Sequence, residues 1–137
     1  PLSVVFCSSQ EHGSAGVENI VDGDLSTIWH SMYSVTVAKF PHWIDFDAAA
    51  QKTMKGFVYT GRQDGENGRV KRYEIFVSQD GQEWGAPIAT GTLSRTPAAQ
   101  RVLFDKPVKA RYIRFKAIDS HNGADFASAA EFGLSAE

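Results

Sequence analysis

The sequence predicts an all-β fold, a sandwich or barrel of about eight short strands. Apolar and polar residues alternate with a period of two, most clearly in residues 110–118. Turn signals such as Asp80-Gly81 separate these runs, and no stretch has the apolar spacing of a helix of ordinary length. The 137 residues, 42% of them hydrophobic, are enough for one domain with a single core, so we predict one domain over residues 1–137.

The predicted strands are runs of β-branched and aromatic residues bounded by glycine, proline or polar clusters. They cover residues 3–9, 42–47, 56–62, 70–78, 87–92, 100–104, 110–118 and 128–134. Residues 17–21 are predicted to form one helical turn. Residues 31–41 and 48–55 are predicted to be connections, and Lys106-Pro107 a turn.

Composition and charge exclude two classes of partner. The formal net charge is −2, whereas a nucleic-acid-binding surface needs a basic excess. No apolar run approaches the roughly 20 residues of a membrane span, so membrane insertion is not expected. The single cysteine, Cys7, has no internal disulfide partner and is predicted to be a small core residue. Because the chain opens at Pro1 without Met, we expect a module cut from a larger polypeptide.

The region around an Asp-Gly-Asp turn is rich in oxygen donors. Asp22 and Asp24 flank Gly23, and Thr27 follows, which suits a hard cation such as calcium. The EF-hand pattern is not met, because the twelfth position from Asp22 is Tyr33 where that loop needs a glutamate. Asp-Gly-Asp is also an ordinary turn sequence. The pattern alone leaves both interpretations open, and a cation would need further ligands from elsewhere in the chain.

Several motifs in the same order resemble one known family. Residues 21–30, V-D-G-D-L-S-T-I-W-H, resemble the signature of the discoidin or coagulation-factor C-type domains, and most of all of family 32 carbohydrate-binding modules. Residues 77–84, V-S-Q-D-G-Q-E-W, resemble the hairpin of that family, and residues 110–115 and 128–132 its last two strands. The N-terminal domain of galactose oxidase is similar. The resemblance implies a jelly-roll β-sandwich of two antiparallel sheets with binding loops at one end.

The resemblance also implies a structural Ca²⁺ ion that ties the Asp-Gly turn to the last strand. The Asp22 and Glu131 carboxylates and the Thr27 hydroxyl would supply side-chain ligands. The implied backbone carbonyl ligands are those of Asn19, Asp24, Thr27 and Ala130.

The same resemblance implies a sugar site. His30, Arg62 and Asn67 match the residues that bind sugar hydroxyls, and Tyr33 and Phe126 match the aromatic platform. Many relatives carry Trp near the position of Tyr33, so somewhat weaker stacking is expected. From the residues alone, Arg62 and Asn67 would be solvated loop residues, His30 a half-buried histidine and Phe126 a core residue. Whether the loop with Glu11 and His12 borders the site is left open.

We therefore expect a non-catalytic module for terminal galacto-configured sugars: galactose, N-acetylgalactosamine or N-acetyllactosamine. It would be an extracellular monomer that targets a covalently linked, glycoside-active catalytic domain to glycans. No sequence motif of a protease, esterase or nucleotide-binding enzyme is present, and turns and the implied calcium ion would account for the acidic residues. The alternatives are a discoidin-type adhesion or lipid-binding domain, or the accessory domain of a galactose-oxidase-like enzyme. The single cysteine and the His–Arg–Asn set favour sugar over lipid.

Overall fold

The structure, a computed structural model, describes residues 1–135, so the last two residues of the predicted domain 1–137 lie outside it. This part of the chain contains eight strands and two short 3₁₀ turns, at Gly13–Ala15 and Val17–Val21. The strands are β1 (Ser3–Cys7), β2 (Trp29–His30), β3 (His42–Thr60), β4 (Arg72–Ser78), β5 (Ala89–Thr92), β6 (Ala99–Ala117), β7 (Ser128–Ala129) and β8 (Glu131–Leu134). The predicted all-β fold is confirmed.

The two long strands, β3 and β6, build both layers of the sandwich. In one layer the first part of β3 pairs with β1 on one side and with residues 112–117 of β6 on the other. On its far side β6 pairs with β4, and β4 pairs with β5. In the other layer the end of β3 pairs with β8 and with residues 99–103 of β6. All of these pairings are antiparallel, as the resemblance implied. Both strands therefore bend in the middle, at one end of the molecule.

The bends correct two sequence predictions. Residues 48–55 were predicted to be a connection and Lys106-Pro107 a turn, but both segments lie within strands. Pairing of β3 with β6 shifts register between Asp47 and Lys52 and again between Met54 and Gly56, and Ala49 has φ of 72°. Such irregularities break the period-two alternation, which is why the pattern did not predict a strand there.

Gly56 lies at a close approach between the backbones of β3 and β6. A Cβ atom at this position would overlap the backbone carbonyl of Val102 and lie 2.9 Å from Cα of Leu103. Glycine is therefore required for the close backbone contact that lets the strands bend together.

The C-terminal segment is also divided differently from the prediction. Residues 128–134 form two strands that separate at Ala130: β7 pairs with β2, and β8 pairs with β3. In the β2–β7 pair, Trp29 lies opposite Ala129 and His30 opposite Ser128. This two-stranded sheet carries His30 at the end of the sandwich away from the bends.

Aromatic rings fill the space between the layers. Phe46 stacks on Phe132 at 4.7 Å between ring centroids, and Phe57 contacts Tyr73 at 5.1 Å and Phe115 at 6.0 Å. Trp29 is 1% exposed and belongs to this core. Burial of these rings is the dominant favourable contribution to folding.

The other two tryptophans, Trp43 and Trp84, lie on the outer face of the sheet beside Arg114. The Arg114 guanidinium lies 4.4 Å from the ring centroid of Trp84 and 5.7 Å from that of Trp43. The same guanidinium donates two hydrogen bonds to the Asp45 carboxylate, at 2.6 and 2.9 Å.

Within residues 1–135 no helix has the length and apolar character needed to cross a membrane.

Candidate functional site

Three rings, from His30, Tyr33 and Phe126, form a cluster at the end of the sandwich opposite the bends. The His30 ring centroid lies 4.7 Å from that of Tyr33 and 5.2 Å from that of Phe126, and the latter two are 5.9 Å apart. His30 is only 4% exposed, whereas Tyr33 is 47% exposed. The cluster therefore presents an aromatic surface over a buried imidazole.

A backbone carbonyl group determines which nitrogen of the His30 ring carries the proton. Nδ1 lies 2.7 Å from the carbonyl oxygen of Ser31, and because a carbonyl can only accept, Nδ1 carries the proton. Burial lowers the pKa of His30, and the nearby Arg62 cation lowers it further, while the bond to Ser31 opposes this. The ring is therefore neutral at pH 7, and Nε2, which has no hydrogen-bond partner among the described residues, is an acceptor.

Glu11 holds the loop that carries Tyr33. Its carboxylate accepts hydrogen bonds from the backbone N–H groups of Tyr33 and Ser34, at 2.9 and 3.1 Å. Its own N–H donates to the carbonyl oxygen of His30 at 2.8 Å. Hydrogen bonds from the Ser34 hydroxyl and the Tyr33 N–H lower the pKa of Glu11 to about 2. The sequence left open whether Glu11 borders the aromatic cluster; the structure places it there.

Asn67 is brought close to β7 by Gly68. Gly68 has φ of +88°, and a Cβ atom there would lie 2.5 Å from Oγ and 2.7 Å from N of Ser128. The Ser128 hydroxyl donates to the carbonyl oxygen of Asn67 at 2.7 Å, and its N–H donates to that of Gly68 at 2.8 Å. Because Ser128 lies opposite His30, this contact anchors residues 61–69 beside the aromatic cluster.

Arg62 lies near the start of the same loop, and hydrogen bonds hold both its side chain and its backbone carbonyl group. Its Nε donates to Asp64 Oδ1 at 2.6 Å, and its carbonyl oxygen accepts from Arg69 Nη2 at 3.1 Å. The two terminal nitrogens of Arg62 have no partner among the described residues, and 24% of its side chain is exposed. These nitrogens are therefore available as donors.

The structure thus gathers the five predicted binding residues at one rim. His30, Tyr33 and Phe126 are in direct contact, Arg62 is close enough to affect the pKa of His30, and Asn67 is tied to the strand opposite His30. Together they present an apolar surface, one acceptor and several donors. Such a set suits a small polyhydroxylated ligand, with ring stacking on one side and hydrogen bonds to hydroxyl groups on the other.

Four of the predicted calcium ligands, Asp22, Asp24, Thr27 and Glu131, also lie close together, between the Asp-Gly turn and the start of β8. The Gly23 N–H donates to Glu131 Oε2 at 2.8 Å, and the Asp22 and Glu131 carboxyl groups are hydrogen-bonded to each other. Thr27 Oγ1 lies 2.5 Å from Asp22 Oδ2 and 3.1 Å from the carbonyl oxygen of Asp24. Burial, together with the bond to Asp22, raises the pKa of Glu131 to about 7.

This donor set fits a calcium ion. Hydroxyl, carboxylate and carbonyl oxygens meet here, and burial and the neighbouring Asp22 raise the pKa of Glu131, so a cation beside the two carboxylates would relieve their repulsion. Across residues 1–135 no group of three or more His, Cys, Asp and Glu side chains is placed to hold a metal. The ion would therefore depend on Asp22, Glu131, Thr27 and backbone carbonyls. Asn19 uses its side chain elsewhere, to donate to the carbonyl oxygens of Ser14 and Ile28.

Sequence reasoning missed Ser128, which links His30 to Asn67, and Asn122, which holds Asn67, and it left open the role of Glu11, which holds Tyr33. No local pattern marks them, because each acts on a residue that is 20 or more positions away in the sequence. Pairing of such distant polar side chains becomes visible only in the folded chain.

A small β-sandwich that presents aromatic and polar side chains together on one rim has the architecture of a ligand-binding module. The family model described as F5/8 type C domain matches residues 5–132. The chain therefore belongs to the F5/8 type C, or discoidin, family, as its motifs predicted.

Sequence relatives and solved structures agree with this assignment. The chain is 38% identical over 126 residues to a sialidase of Micromonospora viridifaciens, which is 90% of this chain and 19% of that protein. It is 33% identical over 133 residues to a galactose oxidase of Gibberella zeae, which is 95% of this chain and 19% of that protein. A family 32 module of Clostridium perfringens, solved in complex with GalNAc-β-1,3-galactose, superposes with a TM-score of 0.87 at 27% identity, covering 98% of this chain and 95% of that one. The chain thus spans about a fifth of the relatives' length.

Proposed function

We propose that this chain is a non-catalytic carbohydrate-binding module for terminal galacto-configured sugars such as galactose, N-acetylgalactosamine and N-acetyllactosamine. The observation that carries the proposal is the rim, where three rings meet beside Arg62 and Asn67. The complex of a structural neighbour with GalNAc-β-1,3-galactose supports it.

The chemistry of the rim accounts for a preference among sugars. Tyr33 and Phe126 offer ring surface to the apolar C–H face of a pyranose, while His30 Nε2, Asn67 and Arg62 offer partners for its hydroxyls. Galactose and glucose differ in the orientation of O4, which is axial in galactose. A polar group left without its partner costs about 1–3 kcal/mol, so a site that bonds the axial hydroxyl should prefer galactose by about 5- to 150-fold.

The first experiment is a glycan array on the isolated chain, followed by calorimetric titration with galactose and glucose. Arg62→Ala should weaken galactose binding by about tenfold or more, because a hydrogen bond to a charged group contributes about 1.5–3 kcal/mol. Arg101→Ala, which removes an exposed arginine from β6, is the matched control and should leave the affinity unchanged. If the galactose affinity of Arg62→Ala equals that of the wild type, the proposed site is rejected.

The wider role is also part of the proposal. A module of this kind, covalently linked to a glycoside-active catalytic domain outside the cell, raises the concentration of that domain near its glycan. Relatives that include a sialidase and a galactose oxidase several times longer than this chain support this role. The isolated chain is proposed to be a monomer, which sedimentation velocity would test, with a dimer as the contrary outcome.

A Ca²⁺ ion is proposed as a structural cofactor. Asp22, Thr27 and Glu131 would supply side-chain ligands, with backbone carbonyls of Asn19, Asp24, Thr27 and Ala130. The ion would supply positive charge between two carboxylates and would connect the Asp-Gly turn to β8.

A second candidate function is a discoidin-type adhesion or lipid-binding domain. It is favoured by one observation: Val35 and Val37, on the loop that also carries Tyr33, are 77% and 43% exposed. Sedimentation with phosphatidylserine vesicles separates the two functions. Vesicle binding that is lost in Val35→Ser, without any galactose binding, would favour the lipid-binding function.

A further inference from the structure

Asn122, on the loop between β6 and β7, contacts Asn67 across 55 positions of sequence. Its Nδ2 group donates a hydrogen bond of 2.9 Å to Asn67 Oδ1. The contact joins two loops of the rim, one that carries Arg62 and Asn67 and one that leads to Phe126.

The orientation of the Asn122 amide follows from its other contact. Its Oδ1 atom accepts a hydrogen bond of 3.1 Å from the backbone N–H of Ala124. A backbone N–H can only donate, so this end of the amide is the oxygen and the other end is the NH₂ group. The Ser120 hydroxyl, which donates to the carbonyl oxygen of Ala124 at 2.7 Å, lies 3.2 Å from the same Oδ1.

The loop that carries Asn122 is itself fixed to the sandwich. The N–H of His121 donates to the carbonyl oxygen of Arg69 at 3.0 Å, and the His121 ring bonds the carbonyl oxygen of Leu93 through Nε2 at 2.8 Å. Asn122 therefore approaches Asn67 from a defined position, on a turn held from two sides.

We infer that Asn122 is a positioning residue that fixes which end of the Asn67 amide faces the ligand. Because Asn122 occupies Oδ1 of Asn67, the Nδ2 group of Asn67 is left as a donor, and it has no partner among the described residues. This inference rests on the proposed function, in which Asn67 contacts the sugar. It deepens that function: the ligand must offer an oxygen that accepts from Asn67 and a hydroxyl that donates to His30 Nε2.

Two variants separate this role from simple support of the loop. Asn122→Asp keeps an oxygen for the Ala124 N–H but cannot donate to Asn67, so the Asn67 amide turns its NH₂ group toward Asp and its oxygen toward the ligand. Galactose affinity should then fall by about tenfold, with the melting temperature nearly unchanged. Asn122→Ala leaves Asn67 free to rotate and should weaken binding less. The opposite order, with Asn122→Asp binding like wild type and Asn122→Ala binding poorly, would overturn the inference.

A second measurement does not depend on any sugar. In ¹H–¹⁵N spectra, the side-chain NH₂ signals of Asn122 are assigned by their loss in Asn122→Asp. One proton should be shifted downfield by its bond to Asn67, and Asn67→Ala should remove that shift. If Asn67→Ala leaves the signals unchanged, the inference fails even where galactose binds. If wild type binds no galactose but the shift is present and lost in Asn67→Ala, the proposed function fails and the positioning contact stands.

Discussion

At the scale of single residues, backbone groups determine which side-chain atoms of the rim donate hydrogen bonds and which accept them. The carbonyl of Ser31 makes His30 Nε2 an acceptor, and the N–H of Ala124, through Asn122, makes Asn67 a donor. Backbone groups cannot exchange donor and acceptor roles, so these assignments persist wherever the fold persists.

The acceptor role of His30 predicts a pH dependence of binding. Burial lowers the pKa of His30 below its usual value of 6.5, so the neutral ring persists through neutral pH. Galactose affinity should therefore be constant from about pH 8 to about pH 6.5 and should fall at lower pH, as protonation removes the Nε2 acceptor. Calorimetric titration with calcium in excess measures this. Loss of affinity between about pH 8 and 7, or a constant affinity down to about pH 4, would contradict the role.

The tight contact of Gly68 with Ser128 predicts a steric effect of substitution on stability. Gly68→Ala places a methyl group against Ser128 and should cost about 2–4 kcal/mol in the free energy of unfolding. Gly85→Ala is the matched control, because Gly85 also has positive φ, +63°, but a Cβ atom there meets nothing within 4 Å. The control should cost only about 1 kcal/mol, the backbone strain alone. Equal losses in urea denaturation of the two variants would show that the contact with Ser128 is unimportant.

At the scale of elements, strands β2 and β7 bring together residues from three regions of the chain. His30 lies on β2, Phe126 precedes β7, and the loop after β3 is fixed to β7 through Ser128. The outer face of the larger sheet is held differently, by the Arg114–Asp45 pair between Trp43 and Trp84.

The outer face yields a stability prediction. Arg114→Lys removes the two parallel hydrogen bonds to Asp45, whose side chain is 8% exposed, and should lower the free energy of unfolding by about 1–3 kcal/mol. Arg95→Lys is the control, since the Arg95–Glu66 pair is 51% and 53% exposed and should contribute less than about 1 kcal/mol. Urea denaturation at neutral pH compares the two. A loss in Arg114→Lys no greater than in the control would contradict the prediction.

At the scale of the whole molecule, the contact between the Asp-Gly turn and β8 closes a loop of more than a hundred residues. The bond between Gly23 and Glu131 spans 108 positions, nearly the length of the chain. A cation at this contact would bind the folded chain and not the unfolded one, so it would stabilise the fold as a whole.

The proposed calcium ion therefore predicts a metal-dependent melting temperature. Calcium at about 100 times its Kd should add about 2.7 kcal/mol of stability, which is on the order of 10 °C for a domain of this size. EDTA should reverse the increase, and Glu131→Gln should abolish it. Glu83→Gln, at an exposed glutamate remote from the turn, should retain it. Melting curves that are the same with calcium and with EDTA would reject the ion.

The sequence by itself determined the all-β class, the family and the five rim residues, because period-two alternation and turn residues are local signals and the motifs extend over nearly the whole chain. It did not predict that residues 48–55 continue a strand, or that residues 128–134 divide between two sheets, because bulges and sheet changes at Ala49 and Ala130 interrupt the local pattern. Only the tertiary structure decided how the rim residues are oriented. The contacts of Glu11, Asn122 and Ser128 join segments far apart in sequence, and hydrogen bonds of this kind depend on the distances that folding creates.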